Sequence, residues 1–253
     1  MVWTRPSHCS MRCWPNLRCS RGITTSTGWN IGWKHTCPDV QNADLPLTPA
    51  LVLQAYRLGV FPMSESRDDP DVFWVDPRRR GIFPLDRFHI SHSLTRTIRR
   101  GGFRVSFDTA FADVVDGCAD RAETWINPSI RNLSITLHDQ GHAHAVEVWQ
   151  DAQLVGGVYG IRIGAAFFGE SMFSRATDAS KVALAYLLHN LRSGGFTLFD
   201  TQFLTPHLAS LGAVEITRAQ YHRMLAAAVG QSARFTGAVP APSDVIQRRT
   251  QTS

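Results

Sequence analysis

Three side chains in the second half of the chain have types and spacing suited to chemistry: Glu170, Asp200 and Gln202. Asp200 and Gln202 lie two apart in Phe196 to Phe203, a run that reads as a strand. Both therefore point to one face of it, and a carboxylate and a carboxamide arrive side by side. The carboxylate can orient the amide, and the amide can then hold a substrate carbonyl or amine. Glu170 lies near the end of a second apolar strand, Ala165 to Phe173, and adds a nearby acid. A capped strand end is the plainer alternative, and the residues alone favour it.

The elements that must position these groups can be read around them. Val155, Val158, Ile161 and Ile163 sit among Gly156, Gly157 and Gly160, which reads as a strand with bulges or a close backbone approach. Gly164 turns it into the strand that carries Glu170. Asp178 is placed to cap a helix, and Leu184, Leu187, Leu188 and Leu191 follow as one apolar stripe that Gly194-Gly195 ends. Upstream, Thr48-Pro49 and Asn127-Pro128 read as a cap followed by proline at the first helical position. Asp108 reads as the cap of a helix with Phe111, Val114, Val115 and Cys118 inward. Leu94 and Ile98 share one side of a short helix whose other positions carry Arg96, Arg99 and Arg100. Thr205-Pro206 starts a short helix, and Thr217 with Gln220 fits a capping box. From about Gly230 few large apolar residues remain, which reads as a mobile tail. The order is an antiparallel meander followed by strands alternating with helices, an α+β or mixed α/β chain with one sheet and helices packed on it.

Composition narrows the class. The chain has 253 residues, 43% of them hydrophobic, and a net charge of +5, a mild bias toward an acidic partner such as RNA. No apolar run is long enough to span a bilayer. Residues 1–38 hold no Asp or Glu but contain Cys9, Cys13, Cys19 and Cys37, without the paired spacing of a zinc site. They read as an irregular extension. Cys118 alone remains in the body, compatible with a reducing cytoplasm. His138, His142 and His144 lack a partner carboxylate or cysteine at metal spacing and read as hydrogen-bonded imidazoles. Arg78, Arg79, Arg80, Arg87, Arg96, Arg99, Arg100, Arg104 and Arg131 could neutralise phosphates or form a solvated face. Trp74 and Trp125 lie near turn residues, where an aromatic face could stack on a base or simply fill core. No phosphate loop, GxGxxG opening a helix, or GxSxG elbow is present.

Longer stretches carry a resemblance. Ala55-Tyr56-Arg57-Leu58-Gly59-Val60-Phe61-Pro62, Trp74 with Asp76-Pro77-Arg78, and Thr124-Trp125-Ile126 form one series. Leu137-His138-Asp139-Gln140-Gly141-His142, Leu154-Val155-Gly156-Gly157-Val158-Tyr159-Gly160, Gly169-Glu170-Ser171-Met172-Phe173-Ser174 and Asp200-Thr201-Gln202 continue it. Together they resemble the leucyl/phenylalanyl-tRNA–protein transferase family over roughly residues 47 to 228. The resemblance implies an α+β chain with a small N-terminal domain over 45–95 and a GCN5-related acetyltransferase-like domain over 96–232, a mixed sheet flanked by helices; residues 1–40 match nothing in the family, and composition leaves an irregular extension over 1–44 and a flexible tail over 233–253.

It also implies an enzyme that moves Leu or Phe, and also Met, from aminoacyl-tRNA to the N-terminal Arg or Lys of proteins, marking them for N-degron degradation in the cytoplasm. Asp200 and Gln202 then correspond to the catalytic pair and Glu170 to an acid that contacts substrate. Trp74 and Trp125 lie around the aminoacyl-adenosine end, while Val158, Phe167, Leu184, Leu187 and Leu191 line an apolar slot. Arg96, Arg99 and Arg100 would meet the tRNA. No cofactor, metal or membrane is implied, and the chain is expected to act as a monomer. Ser134 stands where the family often has tyrosine, which removes one aromatic contact. Two rival readings are an acetyl-CoA-dependent acyltransferase of the same fold, which should carry a pyrophosphate loop that is not seen, and a non-catalytic RNA-binding protein.

Overall fold

The computed structural model describes residues 47–246. The extension read over 1–44 lies outside the described residues. In chain order the elements are α1 (Pro49–Arg57), β1 (Phe61–Met63), β2 (Phe73–Val75), β3 (Arg79–Ile82), α2 (His92–Arg100), β4 (Arg104–Phe107), α3 (Phe111–Ala119), α4 (Pro128–Asp139) and β5 (Ala143–Gln150). Then come β6 (Gln153–Ile163), β7 (Ala166–Ser174), α5 (Ala179–Ser193), β8 (Leu198–Gln202), α6 (Pro206–Ser210), β9 (Val214–Thr217), α7 (Arg218–Val229) and α8 (Pro242–Ile246).

Most helix starts follow from local chemistry. Thr48, Asn127 and Thr205 each accept a hydrogen bond from the first turn, with proline at the start of the helix. Thr217 and Gln220 close the capping box of α7. Two caps differ from expectation. Asp178 makes no capping bond; its carboxylate pairs with Lys181, and Ser174 Oγ accepts the Ser180 N–H instead. Asp108 takes the N–H of Ala145 and Nδ1 of His144, leaving the start of α3 to Glu147, whose carboxylate accepts from Thr109 N and Ala110 N across the sheet. In both places a stronger partner, a cation or a strand N–H, takes the aspartate away from the helix.

Seven strands form one mixed sheet in the order β4-β5-β6-β7-β8-β3-β9, and β1 and β2 form a separate two-stranded ribbon. β5, β6 and β7 form the expected antiparallel meander, and β4, set apart by α3 and α4, pairs antiparallel with β5. β8 returns through α5 to lie parallel to β7. β3 inserts antiparallel between β8 and β9, so part of the stretch read as a small N-terminal domain belongs to the large sheet. Side chains alternate between two cores. Ala143, Ala145, Tyr159, Phe168 and Leu198 face α1, α3, α4 and α7, while Val146, Val148, Phe167 and Phe199 face α2, α5 and α8. A mixed sheet covered by helices on both faces is the architecture that the resemblance implied.

The stretch after Gly230 departs from a mobile tail as far as Ile246. Phe235 stacks on His144 and Phe167, Asn190 holds both backbone groups of Thr236, and Val245 is buried. Its apolar residues are few, but each has a seat.

The feature that positions the site is a parting of two strands. The β7–β8 ladder runs from Ala166↔Leu198 to Phe168↔Asp200, and there it stops. β7 continues to Ser174 on its pairing with β6, and β8 ends at Gln202 on its pairing with β3.

Candidate active site at the parting of two strands

Asp200 is fully buried, and each of its oxygens accepts two hydrogen bonds. Oδ1 takes Arg80 Nε (2.9 Å) and the backbone N–H of Gln202 (2.8 Å); Oδ2 takes Arg80 Nη2 (2.6 Å) and Tyr221 OH (2.7 Å). Arg80 lies on β3 and is 1% exposed. It was expected among cations that could reach phosphates, and the fold instead spends it on this ion pair. The expectation that Asp200 orients the Gln202 carboxamide is also corrected: it holds the backbone of Gln202. A carboxylate offers about four acceptor sites, and Asp200 has none left for the amide.

Gln202 follows in the left-handed region, with φ of 56°. Its Nε2 is buried without a hydrogen-bond partner among the described residues. Native proteins rarely leave a buried donor unpaired, and an unpaired one costs about 1–3 kcal/mol. Across the parting, Glu170 occupies a bulge: Tyr159 pairs with Ser171 and Gly160 with Gly169, leaving Glu170 opposite nothing. Bulges re-aim side chains in this way. Glu170 Oε1 accepts Tyr56 OH at 2.7 Å. No hydrogen bond to its other oxygen is made among the described residues, and the residue is 9% exposed. Burial pushes the Glu170 carboxyl up to about 8, against the Tyr56 hydrogen bond, which lowers it; Asp200 raises it and Arg80 lowers it.

The loop carrying Trp125 is fastened beside Glu170. Arg121 Nη2 donates to Ser171 Oγ and the Met172 carbonyl, Arg67 holds the Ala119 and Arg121 carbonyls, and Asn127 donates to the Asp69 carbonyl. Trp125 and Trp74, on β2, are half-buried against the core that contains Tyr56 and Phe168. Val158, Phe167, Leu184, Leu187 and Leu191 pack together in the other core, between the sheet and α5. The sheet thus separates this apolar set from Glu170 and Asp200, and the parting is where the two faces meet. Arg96, Arg99 and Arg100 are exposed on α2 with no ion pair among the described residues, whereas Arg131 is paired with Asp116. His138 and His144 are hydrogen-bonded to the Ala143 carbonyl and Asp108, and no metal-binding cluster occurs among the described residues. Ser134 is buried and bonds back to the Ile130 carbonyl.

Arg80, Tyr56 and Tyr221 are absent from the sequence-based site. Tyr56 reads only as part of the Ala55 to Pro62 stretch, Tyr221 as a member of a helical stripe with Met224, Leu225 and Ala228, and Arg80 as one of three adjacent arginines; nothing local marks the hydroxyls or the guanidinium as buried.

Comparison with known proteins agrees with the earlier resemblance. The family profile described as leucyl/phenylalanyl-tRNA protein transferase matches residues 82–226, and the one for its N-terminal domain matches residues 46–78. A relative from Ruegeria pomeroyi, named leucyl/phenylalanyl-tRNA–protein transferase, is 63% identical over 210 residues, 83% of this chain and 100% of its own. One of the same name from Cereibacter sphaeroides is 64% identical over 209 residues, 82% of this chain and 98% of its own. Among solved structures, FemX aligns at 13% identity over 66% of each chain with a TM-score of 0.43. A GCN5-related N-acetyltransferase from Kribbella flavida aligns at 15% identity over 67% of this chain and 63% of its own, with a TM-score of 0.33. On the profiles and the relatives, the chain belongs to the leucyl/phenylalanyl-tRNA protein transferase family and is an aminoacyltransferase.

Proposed function

We propose that the protein transfers leucine or phenylalanine, and also methionine, from aminoacyl-tRNA to the N-terminal Arg or Lys of proteins, marking them for degradation by the N-degron route. It acts in the cytoplasm as a monomer. The observation that carries this reading is the pair of polar groups at the strand parting: Glu170 on β7, with one oxygen held by Tyr56 and no hydrogen bond to the other among the described residues, and Gln202 on β8, whose buried Nε2 has no partner among them.

An aminoacyl ester is already activated, so the site needs chiefly to hold amine and carbonyl in line. The acceptor's α-amine, with a reference pKa of about 7.7–8.0, is partly neutral near neutral pH. It attacks the ester carbonyl while the Gln202 carboxamide engages it. The C–N bond forms and the bond from carbonyl carbon to ribose oxygen breaks. The amine's proton passes to the Glu170 carboxylate, and Glu170 then returns it to the departing ribose oxygen, which leaves as hydroxyl. The ester's side chain enters between β7 and β8 toward Val158, Phe167, Leu184, Leu187 and Leu191, where a charged side chain would pay desolvation. Trp74 and Trp125 offer ring faces to the terminal adenosine, and Arg96, Arg99 and Arg100 meet tRNA phosphates.

The test is transfer of labelled phenylalanine from charged tRNA to a peptide beginning with arginine. Wild type should transfer it without added acetyl-CoA, and Gln202→Ala and Glu170→Gln should each lose on the order of 100-fold in rate. Absence of transfer by the wild type would overturn the reading; wild-type rates in Gln202→Ala would remove Gln202 from the mechanism.

A further inference from the structure

Arg80 has no part in the chemistry just described, yet it is the most heavily fastened side chain near it. Its guanidinium makes four hydrogen bonds: two to Asp200, one to the Gly59 carbonyl at 3.0 Å and one to Tyr221 OH at 3.1 Å. The rings of Phe61 and Tyr221 lie 4.6 Å and 4.3 Å from its central carbon. These partners come from β1, α7, β8 and the turn after α1, so the guanidinium cannot slide in any direction without breaking a contact. A buried ion pair is a poor device for stability alone, because well-packed apolar residues of equal volume often do as well. What this pair does locally is more specific. With Oδ2 and one side of Oδ1 held, the remaining acceptor of Asp200 is aimed at a single group, the N–H of Gln202.

That N–H belongs to a residue that needs holding. Gln202 sits at a positive φ that side-chain-bearing residues seldom adopt, and it is the last residue of β8. Opposite it on β3 is Gly81, where a Cβ would lie 2.6 Å from the Phe203 carbonyl carbon. A glycine there lets β3 close on the turn from the other side. We infer that Arg80 is a positioning residue for the transfer reaction: acting through Asp200, it fixes the backbone turn that aims the Gln202 carboxamide at the parting of β7 and β8. The inference rests on the role proposed for Gln202.

The experiment is a double-mutant cycle in single-turnover transfer of phenylalanine from charged tRNA to an arginine-starting peptide. Arg80→Lys keeps the charge but loses the two-pronged geometry. In the wild-type background it should lower the rate by about 30-fold with KM for the peptide changed by less than about threefold. In the Gln202→Ala background the same substitution should cost less than about threefold, because the group it positions is already gone. Tyr221→Phe, which removes one donor to Asp200 and keeps the ring, should show the same pattern at smaller amplitude and serves if Arg80→Lys does not fold. Equal losses in both backgrounds would make Arg80 a purely structural residue and overturn the inference, as would a wild-type rate for Arg80→Lys. If Gln202→Ala itself transfers at the wild-type rate, the inference falls while the family reaction stands; if the wild type transfers nothing, the reaction assigned to the site is what has failed.

Discussion

Glu170 is a carboxyl group whose proton is held up to about pH 8, first by burial and then by Asp200, while Tyr56 and Arg80 act in the opposite direction. This places it beside the range of an α-amine, about 7.7–8.0, and near-equal affinities suit a proton passed in both directions. The rate of transfer should therefore rise through about pH 8. Tyr56→Phe removes the hydrogen bond that lowers the Glu170 value, so the rising limb should move to higher pH; a pH–rate profile of the two proteins checks this, and an unmoved limb would exclude Glu170 as proton acceptor. The same shift has a consequence for stability. Between the ordinary carboxylate value of 4.5 and about 8, the folded chain keeps a proton that the unfolded chain has lost. Stability drains away as pH rises through that window and is not regained above it. Glu170→Gln mimics the protonated acid, so it should match wild type in Tm near pH 4 and exceed it by about several degrees near pH 9. Thermal melts at the two pH values measure the difference.

At the scale of elements, the sheet lets one residue cap a helix from far along the chain. Glu147 on β5 is fully buried and accepts from Ser106 Oγ, Thr109 Oγ1 and the N–H groups of Thr109 and Ala110 at the start of α3. Glu147→Ala should leave these donors unpaired and cost about 3 kcal/mol, read as a lower urea midpoint with an unchanged m-value. No local rule could reveal this, because Asp108 stands where a cap belongs and the group that performs the task is 37 residues away from Ala110. The same contrast runs through the molecule. The α4, α6 and α7 starts were legible because Asn127, Thr205 and Thr217 act on their own first turns. The β6–β7 hairpin was legible because its apolar strands turn at Gly164. Asp200, Gln202 and Glu170 were legible as polar residues in apolar strands. Arg80 was not, since its meaning depends on β3 being inserted between β8 and β9, a pairing across more than a hundred residues. The seat of Phe235 was equally hidden, because it is set by His144 and Phe167 rather than by its neighbours.

On the scale of the whole molecule, the helices on one face of the sheet stand against Tyr56 and Glu170, and those on the other carry the cationic ridge. Arg96, Arg99 and Arg100 are three and four apart on α2, hence on one side of it, while Leu94 and Ile98 are buried. Like charges at that spacing destabilise a helix by a few tenths of a kcal/mol each, and none of the three arginines forms an ion pair among the described residues. α2 is held by its Ser91 cap and by packing on α5 and α8 instead. A helix kept in place by its neighbours can present unpaired guanidinium groups to a polyanion. If each meets one phosphate, replacing all three with alanine should lower the slope of log Kd against log salt for tRNA by about 2 to 3, and weaken binding most at low salt. Arg131→Ala removes an exposed arginine already neutralised by Asp116, and should leave that slope where it was. Titration of labelled tRNA at several salt concentrations separates the two outcomes. A slope unchanged in the triple variant would make the ridge an ordinary solvated face and move the tRNA contact elsewhere, without touching the roles proposed for Glu170 and Gln202.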